Sequence, residues 1–155
     1  MCAVNAYRAQ QLLQLINTMD PTDQGGRRRL LGELFGAFGA DSEIRPPLQC
    51  DFGHRIFIGA RCRAHPGLTM LDTATVTIGD DVQIGPNVQL LTENRDSGAP
   101  IVIGDNVWLG GGVIVCSGVT IGPDTVVRPG SIVLRDLPAG VVAAGSPARV
   151  IGKVR

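Results

Sequence analysis

From residue 76 onward an aliphatic side chain returns at every sixth position: Ile78, Ile84 and Leu90, then Ile103, Leu109, Val115, Ile121, Val127 and Val133. A second register two residues earlier holds Val76, Val82, Val88, Ile101, Val107, Val113 and Val119, then decays to Thr125 and Ser131. A looser portion runs Ile58, Ala64, Met70, and glycine commonly follows the first register, as in "TIGDDVQIGPNV" and "VIGDNVWLGGGV". Internal repetition of this kind points to a solenoid. A short strand and a corner cover one side of a triangular coil, and one side chain per side points inward onto its counterpart below. Gly, Asn and Asp gather where the chain turns with positive φ. Nearly every Val, Ile and Leu of the two registers is therefore expected to be core. Trp108, between inward Val107 and Leu109, should face outward.

The beat lapses once, in "LLTENRDSGAPIVIGD" at residues 90–105, where only polar, charged and small residues fill the gap. Such a lapse in a strict period marks a loop leaving the coil.

Two short helices precede the repeats. Leu12, Leu15, Ile16 and Met19 recur at helical spacing. Asp20 can cap the next helix, Pro21 suits its first turn, and Leu30, Leu31, Leu34, Phe35 and Phe38 form its apolar side. The pair reads as an αα-hairpin over residues 1–40, ahead of a β-helix over 41–155. The Arg27–Arg29 run reads as a solvated helix face, with a phosphate clamp as the alternative. Residues 39–49, with Pro46 and Pro47, read as an extended link.

Composition narrows the function classes. Fourteen basic residues balance fourteen acidic ones, so no net field draws the chain to nucleic acid or an anionic membrane. No apolar run is long enough to span a bilayer, and "MCAVNAYRAQQ" has no signal-peptide core. Cys2, Cys50, Cys62 and Cys116 are scattered without a CxxC, which reads as reduced thiols in a cytoplasmic protein. His54 and His65 are the only histidines, so no three-ligand zinc site is expected and no metal is assigned.

The segments "CDFGHRIFIG", "TVTIGDDVQIGPNVQLLT", "PIVIGDNVWLGGGVIVCSGVTIG" and "AAGSPARVI" resemble the maltose, galactoside and nodulation O-acetyltransferases, which are hexapeptide-repeat proteins. The resemblance covers most of the chain. It implies a mainly β fold, a left-handed parallel β-helix with an N-terminal αα-hairpin, assembled as a homotrimer. It also implies acetyl-CoA as co-substrate and a small hydroxyl acceptor such as a sugar.

The family's catalytic base is a His in a T-x-x-H-P segment on a long loop at the break. Here that register reads Thr92-Glu93-Asn94-Arg95-Asp96, so Arg95 stands where the His belongs, and Pro100 starts the next repeat almost at once. A guanidinium stays protonated and cannot accept the hydroxyl proton. On the acceptor side the resemblance carries over to Asp51, His65 and Thr73. His65 is the candidate replacement base, since an imidazole can take a proton near neutrality. His54 reads as structural. On the cofactor side it carries over to Gly111, whose backbone N–H would serve the thioester, and to Pro129, Leu134, Arg135 and Arg149. Two readings stay open: a weak acetyltransferase, or a trimeric β-helix that binds CoA without turnover.

Overall fold

A computed structural model describes residues 2–155. The side chain of Cys2, read above as a reduced thiol, lies outside the described residues. Two helices, α1 (Cys2–Thr18) and α2 (Gln24–Leu34), lead into five coils of short strands. The first coil holds β1 (Ala37–Phe38), β2 (Glu43–Ile44) and β3 (Leu48–Cys50); the second β4 (Ile56–Ile58), β5 (Arg63–Ala64) and β6 (Leu68–Leu71). The third holds β7 (Val76–Ile78), β8 (Gln83–Ile84) and β9 (Gln89–Leu91); the fourth β10 (Ile101–Ile103), β11 (Trp108–Leu109) and β12 (Ile114–Val115). The fifth holds β13 (Thr120–Ile121), β14 (Val126–Val127) and β15 (Ile132–Val133), before a terminal hairpin of β16 (Val141–Gly145) and β17 (Ala148–Lys153). Every third strand pairs in parallel with its counterpart one coil away, giving three sheets, and β17 alone runs antiparallel, against β16. This is the mainly β, parallel β-helix with a leading αα-hairpin that the sixfold beat and the resemblance imply.

Both registers are core. Ile78, Ile84, Leu90, Ile103, Leu109, Val115, Ile121, Val127 and Val133 are buried, as are Val76, Val82, Val88, Ile101, Val107, Val113 and Val119. Thr125 and Ser131 keep the inward position although they are polar, because each hydroxyl donates to a carbonyl: Thr125 to Pro138 O at 2.7 Å and Ser131 to Arg128 O at 2.7 Å. Trp108 faces outward.

The prism has three edges. Along the first, between sheets one and two, Asp41, Arg61, Asp81, Asn106 and Asp124 all adopt left-handed φ near +57 to +61°. The glycine of the "IGD" corners has a steric cause: a Cβ at Gly79 would lie 2.2 Å from the Asp105 carboxylate, which accepts the N–H of Asp80 at 2.8 Å.

Three expectations from the sequence need correction. Leu15 is 54% exposed, and the buried stripe of α1 is Ala9, Leu13 and Ile16; the helix is set one residue round from the predicted face. The cap of α2 is Asp23, whose carboxylate accepts Gly26 N–H at 2.9 Å, while Asp20 bonds Thr22 and Pro21 precedes the helix. Residues 39–49 are not a link but most of the first coil, since β2 and β3 pair with β5 and β6.

The Arg27–Arg29 run is likewise not a uniformly solvated face. Arg27 is 5% exposed, and Arg28 donates to Ser42 O at 3.0 Å and Gly39 O at 2.8 Å, tying α2 to the first coil. Asn17 does the same for α1, exchanging two 3.0 Å hydrogen bonds with the backbone of Leu48.

Candidate active site

The third edge, between sheets three and one, carries the break. Ala37 pairs with Phe57 and Ile56 with Val76, so early coils advance by 20 residues; Val76 pairs with Ile101, an advance of 25, and Val102 with Thr120, an advance of 18. The surplus across the break is a compact turn. Glu93 and Gly98 form an antiparallel bridge, and Asn94 N–H donates to Ser97 O at 2.8 Å. Asn94 Oδ1 accepts the N–H groups of Asp96 (3.0 Å) and Ser97 (2.8 Å). Arg95 sits exposed at the tip of this turn.

Each third-edge loop is clamped by a side chain from the next coil. Asp72 is fully buried and its carboxylate accepts three N–H groups, from Asp51 (3.0 Å), Phe52 (2.9 Å) and Gly53 (2.8 Å). Thr92 Oγ1 donates to Leu71 O at 2.6 Å and accepts Ala74 N–H at 2.9 Å. Ser117 Oγ donates to Thr92 O at 2.6 Å and accepts Ala99 N–H at 3.1 Å. Asp72 is thus fully committed to the fold, whereas Thr73 beside it is exposed and reaches Asp51 Oδ2 at 3.5 Å. Burial first, then the charges of Asp72 and Glu93, push the Asp51 carboxyl above its ordinary value. His54 lies on this edge too, exposed, with its ring edge-on to Phe52 at 6.0 Å.

The second edge, between sheets two and three, carries Gly111. The bonds Asn87 N–H to Pro66 O (3.1 Å), Gly112 N–H to Pro86 O (2.8 Å) and Gly130 N–H to Gly111 O (2.9 Å) stack Pro66, Pro86, Gly111 and Pro129 in one column. Three of these four corner residues have no N–H at all. The fourth, Gly111, has one, and it meets no acceptor among the described residues. The fold therefore does not use an N–H at this position, which leaves that of Gly111 available to a ligand. The backbone here is tightly stacked: a Cβ at Gly85 would lie 2.5 Å from Gly111 N. His65 is exposed on the same edge, two coils below Gly111, or about 10 Å along the axis at ordinary strand spacing.

The candidate residues thus fall into three groups. Asp51, Thr73 and Arg95 lie on the third edge; His65, Gly111 and Pro129 lie on the second. Leu134, Arg135 and Arg149 line one cavity of about 100 Å³ with Pro147 and Ala148, at the terminal hairpin. With about six residues to a side, neighbouring edges are roughly 15–20 Å apart, so a single chain does not bring the first two groups together. Among the described residues no cluster of three or more His, Cys, Asp or Glu is placed to hold a metal ion. Among the same residues no helix is long and apolar enough to cross a membrane.

Two family models match: the bacterial transferase hexapeptide over residues 100–135 and the maltose acetyltransferase hexapeptide capping motif over residues 6–39. Galactoside O-acetyltransferase of Escherichia coli is 40% identical, covering 95% of this chain and 78% of that protein. Nodulation protein L of Rhizobium meliloti is 47% identical over 79% of this chain and 73% of its own.

The chain belongs to the hexapeptide-repeat acetyltransferases.

Solved relatives agree in shape. A galactoside acetyltransferase in complex with coenzyme A superposes with a TM-score of 0.96 at 37% identity, over 99% of this chain and 82% of the other. A hexapeptide-repeat acetyltransferase of Vibrio cholerae complexed with acetyl-CoA gives 0.94 at 37% identity, over 99% and 88%. The alignment with the Escherichia coli enzyme runs to 158 positions, more than the 155 residues of this family member, so that relative has residues without a counterpart here. The clamped column of Asp72, Thr92 and Ser117 escaped the sequence reading, because these residues stack only once coils of unequal length are set in register.

Proposed function

We propose that this chain is an acetyl-CoA-dependent O-acetyltransferase of reduced rate that works on a hydroxyl of a sugar or similar small acceptor. The observation that carries the reading is the unused N–H of Gly111 in a column otherwise made of prolines. A donor held there stabilises the negative oxygen that forms when a hydroxyl adds to the thioester carbonyl. In the full step a C–O bond forms and the C–S bond breaks. The hydroxyl proton goes to a base, and the CoA thiolate leaves and is reprotonated.

Acetyl-CoA is assigned to Gly111 and Pro129 at its thioester end and to Leu134, Arg135 and Arg149 at the terminal hairpin, where guanidinium groups suit phosphates. Asp51 and Thr73 are assigned to the acceptor, with His65 opposite them. Because these residues divide between two edges, the site is completed when the second edge of one copy meets the third edge of another. Closed threefold symmetry repeats that contact three times, which supports a homotrimer. The unpaired Cys50, Cys62 and Cys116 support a cytoplasmic setting.

The clamped turn sets the rate. Arg95 cannot accept a proton, and loss of a general base costs roughly 10²–10⁴ in rate. His65 is the imidazole on the Gly111 edge, and we assign it as the replacement base. The test is loss of the acetyl-CoA thioester, followed directly, with glucose, maltose or a galactoside as acceptor. Slow acceptor-dependent turnover that falls in His65→Ala is expected. A folded trimer that binds CoA without turnover would favour the second reading, a scaffold left behind by the short loop.

A further inference from the structure

We infer that the groove beside His65 is built for an anion: a carboxylate or phosphate carried by a small hydroxyl compound. That such a compound is the acetyl acceptor rests on the acetyltransferase reading above; the charge rests on separate geometry. Two cavities adjoin on the outer face of sheet two and share Glu43 and Arg63 as walls. One, of about 240 Å³, is lined by Arg45, Ala64, His65 and Gln83 as well. The other, of about 220 Å³, runs under α2 and adds Gln24, Arg27, Arg28, Leu31, Asp41, Ser42 and Ile44. Each is smaller than the roughly 300–1,000 Å³ of sites that take drug-sized ligands, and suits a monosaccharide-sized group.

Four guanidinium groups line this groove against two carboxylates, Asp41 and Glu43. One ion pair relieves the imbalance, Arg27 to Glu43, and at 3.5 Å it is long. Arg27 is 5% exposed, so its charge is held in a poorly solvated place with weak compensation. The other partners in the groove are neutral. Arg28 donates to Ser42 O and Gly39 O, and Arg63 donates to Asp41 O and Cys62 O.

Carbonyl oxygens orient a guanidinium without cancelling its charge. Arg63 uses only Nη1 for both of its bonds, so among the described residues its Nη2 and Nε remain without acceptors. It is a pinned cation with a free edge, beside His65 and on the face that leads to Gly111. A neutral sugar calls for donors and acceptors in balance, whereas a surplus of donor-only guanidiniums matches an oxyanion. The Arg27–Arg29 run, read from sequence as a solvated face or a phosphate clamp, supplies two members of this groove.

The experiment measures binding of glucose, glucuronate and glucose 6-phosphate to the wild-type protein by calorimetry, alongside acetyl transfer to each. Glucuronate and glucose 6-phosphate are expected to bind at least tenfold more tightly than glucose. The preference should shrink with added salt and disappear in Arg63→Gln, while Arg45→Gln, exposed and without a structural bond, should weaken it. Which charged sugar binds better tells carboxylate from phosphate. Equal affinity for glucose and both charged sugars, or an unaltered preference in both variants, would overturn the inference. Charged sugars that bind preferentially without being acetylated would sustain it and overturn the catalytic reading. Acetylation of glucose with no charge preference would do the reverse.

Discussion

Ser117 Oγ lies 2.6 Å from the carbonyl oxygen of Thr92 and 3.1 Å from the N–H of Ala99, so one hydroxyl closes both ends of the shortened loop. Ser117→Ala should therefore cost about 0.5–1.5 kcal/mol of stability, the net worth of a hydrogen bond, because Ala99 N–H keeps its own 2.9 Å bond to Thr92 O. The cost should be local. Amide exchange is expected to quicken at Asn94 and Ala99 while Ile101–Ile103 stays protected, which hydrogen-exchange measurements would read.

Asp51 gives a pH test with a definite sign. Burial and the charges of Asp72 and Glu93 outweigh the opposing hydrogen bond from Thr73 and raise its pKa above the ordinary 3.8. The folded protein then holds this proton more readily than the unfolded chain. Stability from this group is lost as pH rises from 3.8 through the raised value, and stays lost above it. Asp51→Asn should melt higher than wild type at pH 7 and show no gain below pH 3.8. A lower melting temperature at pH 7 would contradict this.

Cysteine reactivity follows burial. Desolvation, then the charges of Asp72 and Asp51, push the Cys50 thiol up to about 12. At pH 8 its thiolate is a fraction of roughly 10⁻⁴, and the side chain is 3% exposed. Iodoacetamide should leave Cys50 unmodified in the native protein and alkylate the half-buried Cys116 ahead of it. Peptide mass spectrometry after denaturation would locate the label.

The sixfold beat was legible because every inward position stacks on its like, so one residue class recurs wherever the coil closes. The first coil was not. Its neighbours advance by 20 residues instead of 18, and the two extra residues at Asp51–Arg55 shift the beat before a reader can find it. The face of α1 was misjudged for a related reason. Leu13 and Leu15 are equally apolar, and only the position of the coil beneath decides which is covered.

Arg27 shows the same limit for the candidate site. Its burial comes from the first coil lying under α2, and nothing in "GGRRRLLG" announces that. Gly111 is the opposite case. Pro66, Pro86 and Pro129 are plain in the sequence, but their shared column appears only when the 25-residue coil is set in register.

That column supplies the most direct test of the central claim. Gly111 does not adopt a left-handed φ and the fold accepts proline at three stacked equivalents, so Gly111→Pro removes the N–H and adds a Cβ 3.3 Å from the Pro86 ring, a contact that a shift of a few tenths of an ångström relieves. Acetyl transfer by wild type and Gly111→Pro should be measured beside their thermal melts. The account predicts a melting temperature within about 3–4 °C of wild type and a rate lower by roughly 10²–10³. Transfer at the wild-type rate by a folded Gly111→Pro protein would contradict it.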